Sequence, residues 1–319
     1  AAAANRWSVS STELTTELSY VQHNASGRSL SFGELAADAA LLEPPENPSL
    51  KDRSQFNIMG RAISRNDIPA KVDGSAMYGL DAHSDDMLYA AIKLTPVFGT
   101  KLLSVDASEA LAQRGVKRVI ELEDSVAVVA DNYWRAKKAL ELVNATFEES
   151  EFDKVSSADI AARFDRELAE SNGSTDKEVG DTEAALEEAA DVIEASYRVP
   201  YLAHAAMEPM NCTASYVKGA GGGKDRVEIW APTQGPSGIP STISSLYGVD
   251  TDRVEVHVTR LGGGFGRRFS TEFVCEAVEI SKRVGKPVKL TWTREDDIQH
   301  DYYRAGGFQW LKGAVNEQG

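Results

Sequence analysis

Two cysteines, Cys212 and Cys275, are all that the 319 residues contain, and they form no CxxC spacing. A disulfide framework is excluded, and the pair reads as two buried thiols or as a single bridge. Histidine is nearly as scarce: five residues stand singly along the chain, so no four-ligand zinc site can be assembled from them and the cysteines. Positive charge is also in deficit. Against 49 acidic residues there are 34 basic ones, a formal net charge of −15. That field repels phosphate backbones and excludes nucleic-acid binding in the absence of a concentrated basic patch. No membrane-spanning run is present. The longest uncharged stretch, 229–249, carries Pro232, Pro236 and Pro240 among Gly and Ser, and reads as strand and loop. Ala1–Ala4 lacks the basic start and apolar core of a signal peptide, and there is no initial Met. The chain therefore reads as processed or as cut from something longer.

What is present is ordinary for a folded protein: 42% hydrophobic and 26% charged residues. At about 150 residues per domain, the length predicts two domains or three, each with a sizeable core. The acidity is local. Residues 151–195 hold fourteen acidic against four basic residues, whereas 251–319 hold ten against eleven. A solvated face or linker is the ordinary reading of such an acidic stretch.

Residues 1–60 read as an N-terminal appendage, with a short helix over Glu34–Leu42 followed by the extended linker Pro44-Pro45-Glu46-Asn47-Pro48. Residues 61–150 read as an independently packed α+β domain. Its strands are expected at Leu88–Ile92, Val116–Leu122 and Val126–Ala130, with a short helix from Ser108 to Gly115. Asp131 stands where an N-cap belongs, ahead of a helix reaching Val143 that buries Trp134 or its neighbours. Residues 151–180 read as an acidic interdomain crossing with a flexible centre at Ser171–Ser174. Asp181 and Thr182 cap a further helix to about Ala190. Residues 181–319 form the last domain, with strands expected at Ala195–Val199, Thr213–Val217, Val227–Ala231 and Val254–Val258. Gly219–Gly223 reads as a hairpin loop.

The informative segment lies between Val254 and Trp292. A strand of alternating valines leads into Leu261-Gly262-Gly263-Gly264-Phe265-Gly266-Arg267-Arg268. Thr271 then caps a helix with Lys282 and Arg283 in its last turn and Gly285 at its stop, and a strand follows over Val288–Trp292. Strand, glycine loop and helix together present backbone N–H groups to an anion, and two arginines reinforce that. The spacing fits neither GxGxxG nor GxxxxGK[ST], so a nucleotide loop is not indicated. Phe265, flanked by glycines, reads as a wall against a flat ligand; a tight structural turn is the competing reading.

These residues, with Thr233-Gln234 before them and Trp292-Thr293-Arg294-Glu295-Asp296 after, resemble the molybdenum-cofactor subunit of the xanthine dehydrogenase and aldehyde oxidase family. Within it, the resemblance is to the branch of the isoquinoline 1-oxidoreductase beta subunit and related bacterial aldehyde dehydrogenases. Arg65-Asn66-Asp67, Lys71–Gly79 and Tyr201–Pro209 agree with it. The resemblance implies an α+β fold, an α/β hammerhead domain followed by the first, incomplete part of a molybdopterin-binding domain. It implies an oxidoreductase that hydroxylates aldehydes or N-heteroaromatic compounds with water-derived oxygen. The cofactor would be molybdopterin, with or without cytosine, and electrons would pass to a small [2Fe–2S] partner subunit. Localisation would be periplasmic or cytoplasmic in a bacterium.

By the same resemblance, Gln234 hydrogen-bonds the oxo ligand of molybdenum, and Phe265 and Gly266 lie at metal and pterin through their backbone amides. Gly263, Gly264 and Arg267 complete the cofactor-binding set. The purine-oxidising branch follows its loop with Lys-Glu; Arg267-Arg268 stand here, which speaks against purine substrates. The family's catalytic glutamate falls outside these residues, so neither a catalytic base nor a protein metal ligand is assigned. Glu208 reads as a buried polar partner or an entrance residue, and His204 and His300 as structural. The chain alone is expected to hold no molybdenum and to be inactive. A non-catalytic scaffold descended from the same subunit, and a binding module for a phosphorylated heterocycle, are the competing expectations.

Overall fold

The computed structural model describes residues 1–48, 50–170 and 173–319. The chain divides into two compact units, Ala1–Ile68 and Pro69–Gly319. In the first, helix α1 (Ala2–Trp7) precedes an antiparallel sheet of β1 (Thr15–Glu17), β2 (Tyr20–His23) and β3 (Arg28–Ser31). Helix α2 (Phe32–Ala39) starts two residues before its expected place because Ser31 and Glu34 form a capping box, each bonding the other's backbone N–H. Its core is small, with Ala3, Ala4 and Leu35 buried.

The second unit is built on one seven-stranded mixed sheet. In chain order its strands are β4 (Leu88–Leu94), β6 (Val116–Glu121), β7 (Ser125–Ala130), β10 (Asn211–Val217), β11 (Arg226–Ala231), β12 (Val254–Val258) and β13 (Val288–Thr291). The remaining strands, β5 (Leu102–Asp106) with β8 (Asn144–Phe147) and β9 (Asp191–Val199) with β14 (Gly307–Val315), pair as two-stranded ribbons. The spatial order is β12-β11-β10-β13-β4-β7-β6. Segments 61–150 and 181–319, expected as separate domains, therefore share a sheet: β4 runs parallel to β13, with Leu88, Tyr89 and Ala90 opposite Val288, Lys289 and Leu290. Every residue of β7 is buried, as its unbroken Ser-Val-Ala-Val-Val-Ala sequence requires of a strand covered on both faces.

Helices close the two faces. The helices of this unit, in chain order, are α3 (Ser108–Leu111), α4 (Tyr133–Leu140), α5 (Ser157–Glu170), α6 (Thr182–Glu187), α7 (Ile239–Tyr247), α8 (Glu272–Val284) and α9 (Arg294–Gln299). One face of the sheet buries α8 through Phe273, Val274, Ala277, Val278 and Ile280, together with Ile239 and Ile243 of α7. The other buries Ala136, Ala139 and Leu140 of α4.

Several local expectations are corrected here. Asn132, not Asp131, caps α4 by accepting from Arg135 N–H, while Asp131 pairs with the Arg135 guanidinium at 2.5 Å. Of the expected burial of Trp134 or its neighbours, the neighbours Ala136, Ala139 and Leu140 are buried and Trp134 is exposed; α4 ends at Leu140, short of Val143. The stretch read as strand and loop contains α7, because Pro240 sits in the first helical turn where its missing N–H is harmless. Thr271 holds the N-cap position of α8 without a side-chain cap bond; Gly285 ends it in the left-handed conformation, as expected. Helix α5 has no buried residue, and Ser171 and Asn172 of the expected flexible centre lie outside the described residues. Both cysteines are free, Cys212 buried and Cys275 half-buried. No helix among the described residues is long and apolar enough to cross a membrane.

Candidate functional site

Strand β12 delivers the chain into the glycine loop, and α8 carries it away. The loop is fastened on both sides. Gln234, in the turn after β11, aims its Oε1 at the loop and accepts from Gly266 N–H (3.0 Å) and Arg268 N–H (3.3 Å). Its own backbone N–H donates to the Arg268 carbonyl (2.9 Å). With Oε1 committed to two amides, the carboxamide NH2 remains without a hydrogen-bond partner among the described residues. Gly264 is needed for this approach, since a Cβ there would stand 2.6 Å from Gln234 Oε1. Gly266 has φ +100°, a conformation that a side chain would strain.

From the opposite side comes the segment 204–209. Glu208 is buried, and its carboxylate accepts from Gly262 N–H (2.9 Å) and Leu80 N–H (3.0 Å), while its backbone N–H bonds Gly262 O (3.0 Å). It is thus the buried polar partner of the two alternatives. A Cβ on Gly262 would collide with the Cβ of Glu208. Arg268 completes the lacing from a fully buried position: Nε donates to Gly263 O (2.8 Å) and Nη2 to Glu208 O (2.5 Å). Burial pulls its guanidinium below the ordinary arginine value, and the Glu208 carboxylate partly restores it.

The resemblance puts Arg267 in the cofactor-binding set. Its side chain is only 1% exposed and turns inward, with Nε 2.8 Å from Asp301 Oδ1 and a close ion pair to Glu272. The guanidinium also lies over the rings of Tyr302 (5.0 Å) and Trp292 (5.7 Å). Nη1 donates to Ser270 Oγ (2.7 Å), and two carboxylates and two ring faces balance the charge beneath the loop, while Nε, Nη2 and both Glu272 oxygens make no hydrogen bond among the described residues. The outer rim is apolar and open: Phe265 is 68% exposed, Phe269 63% and Met207 88%. Phe265 holds φ +55° and Ala205 φ +43°, two non-glycine residues in the left-handed region on facing segments. Such strain persists only where surrounding structure over-determines it, and it concentrates at ligand sites.

Sequence reasoning placed His204 as structural, and its partner lies far along the chain. Nδ1 sits 3.0 and 3.1 Å from the two Asp301 oxygens, and the His204 backbone N–H donates to Asp301 Oδ2 (2.5 Å). Asp301 is 1% exposed and also receives Arg267, so one buried carboxylate ties the histidine to the underside of the loop. His300, by contrast, packs its ring on Phe98 (4.2 Å) and edge-on to Trp292, and burial pushes its pKa down, consistent with a structural role. Also unread in the sequence was a group on β11 and β12. Glu228, Glu255 and His257 bring their ligand atoms within 4.8 Å of one another, the one such group among the described residues. Residues two apart on a strand share a face, so Glu255-x-His257 was the available signal. Arg226 already pairs with Glu228 (3.2 Å), and the cluster is solvated.

The constellation can bind a flat, polar-edged group: unpartnered donors at Gln234, an apolar rim, and close backbone approach through glycine. The model of the molybdopterin cofactor-binding domain matches residues 165–319. The isoquinoline 1-oxidoreductase beta subunit of Brevundimonas diminuta is 30% identical over 358 residues, covering 99% of this chain and 45% of that protein. A membrane-bound aldehyde dehydrogenase (pyrroloquinoline-quinone) of Gluconacetobacter polyoxogenes is 32% identical over 310 residues, covering 92% and 39%. Among solved structures, the aldehyde oxidoreductase of Desulfovibrio desulfuricans superposes with a TM-score of 0.62 at 20% identity, over 90% of this chain and 36% of that one. The class so defined is a molybdopterin-binding domain within a mixed α+β unit. The chain belongs with the large subunits of the xanthine dehydrogenase and aldehyde oxidase family, and it spans less than half the length of these two curated relatives.

Proposed function

We propose that this chain is part of a molybdenum hydroxylase large subunit that oxidises aldehydes or N-heteroaromatic compounds and hands electrons to a [2Fe–2S] partner. Residues 61–150 would supply the hammerhead strands β4, β6 and β7 to the sheet they share with 181–319, the first part of its cofactor cradle. The carrying observation is the mutual fastening of Gln234 and the glycine loop: Gly264 has no room for a side chain, and Gln234 Oε1 closes on two loop amides. That arrangement fits a molybdopterin edge. When bound, the cofactor supplies the two-electron redox chemistry and the protein supplies position and electrostatics.

The residues of this chain divide that work. Gln234 would offer its carboxamide NH2 as an oriented donor. Phe265 would wall the cofactor and, with Phe269 and Met207, exclude water from one side. Gly263, Gly264 and Gly266 would admit the cofactor close to the backbone, while Arg267 and Arg268 hold the loop's shape from below. The test is molybdenum per polypeptide by mass spectrometry in the full-length protein, beside dye-coupled oxidation of benzaldehyde and isoquinoline. Bound molybdenum with turnover of either substrate supports the reading. Protein purified from a molybdenum-replete, cofactor-competent host with neither metal nor turnover would sink it.

A further inference from the structure

We propose that His204 is a ligand-binding residue of the glycine loop, presenting Nε2 as a hydrogen-bond acceptor to an N–H or O–H of the group seated against Gly266. The proposal deepens the molybdopterin reading and rests on it for the identity of that group. The neighbouring carboxylate selects the tautomer. An ionised carboxylate can only accept, so Asp301, at 3.0 and 3.1 Å, requires the proton on Nδ1. In the neutral ring the lone pair is then on Nε2. Asp301 is doubly anchored, by Arg267 Nε (2.8 Å) and by the His204 backbone N–H (2.5 Å), so the ring plane is fixed from behind.

The direction follows from packing. The His204 side chain is 9% exposed, yet Nε2 has no hydrogen-bond partner among the described residues. It is also the one atom within 4 Å of the position a Cβ on Gly266 would take, at 3.9 Å. A nine-tenths buried imidazole thus aims its only unpartnered polar atom at the glycine whose amide Gln234 holds. The following residue, Ala205, has φ +43°, and Phe265 next to Gly266 has φ +55°. Gln234 contributes a donor and His204 an acceptor on either side of Gly266. The matching chemistry is a heterocycle edge that carries an acceptor and an N–H, or a hydroxyl, side by side.

A purely structural pin for Asp301 is the competing account, and one variant separates them. In His204→Asn the amide NH2 stands where Nδ1–H stood, which keeps the donor to Asp301 and deletes Nε2; His204→Ala deletes both. In the full-length protein, His204→Asn should melt with the wild type but retain molybdenum on dialysis about tenfold less well, the worth of one hydrogen bond. His204→Ala should lose both stability and metal. Equal retention by wild type and His204→Asn would overturn the proposal. Independently of any cofactor, side-chain 15N shifts of histidine-labelled protein report the tautomer: a bare Nε2 at His204 supports the proposal, and a protonated Nε2 with bare Nδ1 overturns it. A wild-type protein without molybdenum would defeat the family reading alone, and the 15N shifts would then decide on the histidine.

Discussion

Arg268 and Glu208 bind each other twice over, guanidinium to backbone carbonyl at 2.5 Å and guanidinium to carboxylate at 3.5 Å, both side chains being almost wholly buried. The pair laces the glycine loop to the segment bearing His204. Two of its further partners, Gly262 N–H and Gly263 O, are loop backbone. The loop's shape is therefore set by charge buried underneath it.

Arg268→Ala should accordingly destabilise the second unit by about 3 kcal/mol, since it leaves the buried Glu208 carboxylate without its counter-charge and the Gly263 and Glu208 carbonyls without their guanidinium donor. Arg268→Lys should recover only part of this, because one ammonium cannot reach Gly263 O and Glu208 O in the same fork geometry. Urea titration followed by tryptophan fluorescence measures both. A shift within error of wild type for Arg268→Ala would contradict the lacing.

Gly264→Val should abolish molybdenum loading in the full-length protein, because its side chain collides with the Gln234 side chain and forces the loop backbone out of place, which deleting the carboxamide does not. Gly266→Val should do the same through backbone strain at φ +100°. Gln234→Ala should keep the metal and lose about 10²–10³-fold in turnover, the usual effect of one oriented donor at a reacting centre. Metal content beside kcat for the three variants distinguishes these outcomes.

Stability should fall as pH rises through the range where Glu276 ionises. Its carboxyl is enclosed against the Trp292 indole, which donates to it at 3.0 Å, and burial raises its pKa well above the ordinary carboxylate value. The folded state holds a proton that the unfolded chain releases, so the contribution is full below the unfolded value of 4.5 and is lost toward the raised folded one. Glu276→Gln should remove that loss and melt progressively higher than wild type as pH rises above 4.5. His300, whose pKa is lowered by burial, adds stability that is lost on acidification. The mutant-minus-wild-type difference at each pH, by scanning fluorimetry, isolates the glutamate. A flat difference would refute the assignment.

Limited trypsin digestion should cut first among Lys154, Arg163, Arg166 and Lys177. Helix α5 buries none of its residues, and segments with few apolar contacts open locally at little cost. Cleavage between 85 and 140 should come later, because β4, β7 and α4 hold buried side chains on both faces of the sheet. Mass spectrometry of the early fragments settles the order.

Local signals in the sequence were informative where one segment decides its own structure. The buried run of β7, Gly285 as the stop of α8 and Asp181 as the cap of α6 follow from composition and spacing alone. Adjacent candidates for one role were harder, as Asp131 and Asn132 show: both suit an N-cap, and the salt bridge to Arg135 removes the first. Remote partners were illegible. Arg267 and Arg268 look like anion binders until Asp301 and Glu208 are placed against them, and His204 looks inert without a carboxylate 97 residues away. The glycine loop and Gln234 were legible as motifs, whereas their direct bond depends on how β11 and β12 pair in parallel.

The pairing of β4 with β13 also bears on how the chain is made. The two strands are separated by 200 positions, counting from Leu88 to Val288. At roughly 5–20 residues per second, a ribosome needs about 10–40 s to deliver the second after the first. During that interval β4 can hydrogen-bond β7 on one side only. Its opposite backbone margin, flanked by Ala90, Ala91 and Ile92, stands ready to accept any strand that arrives. Newly made chains should therefore depend on chaperones that shield this margin, and overexpression that outpaces them should yield aggregates nucleated at residues 88–94.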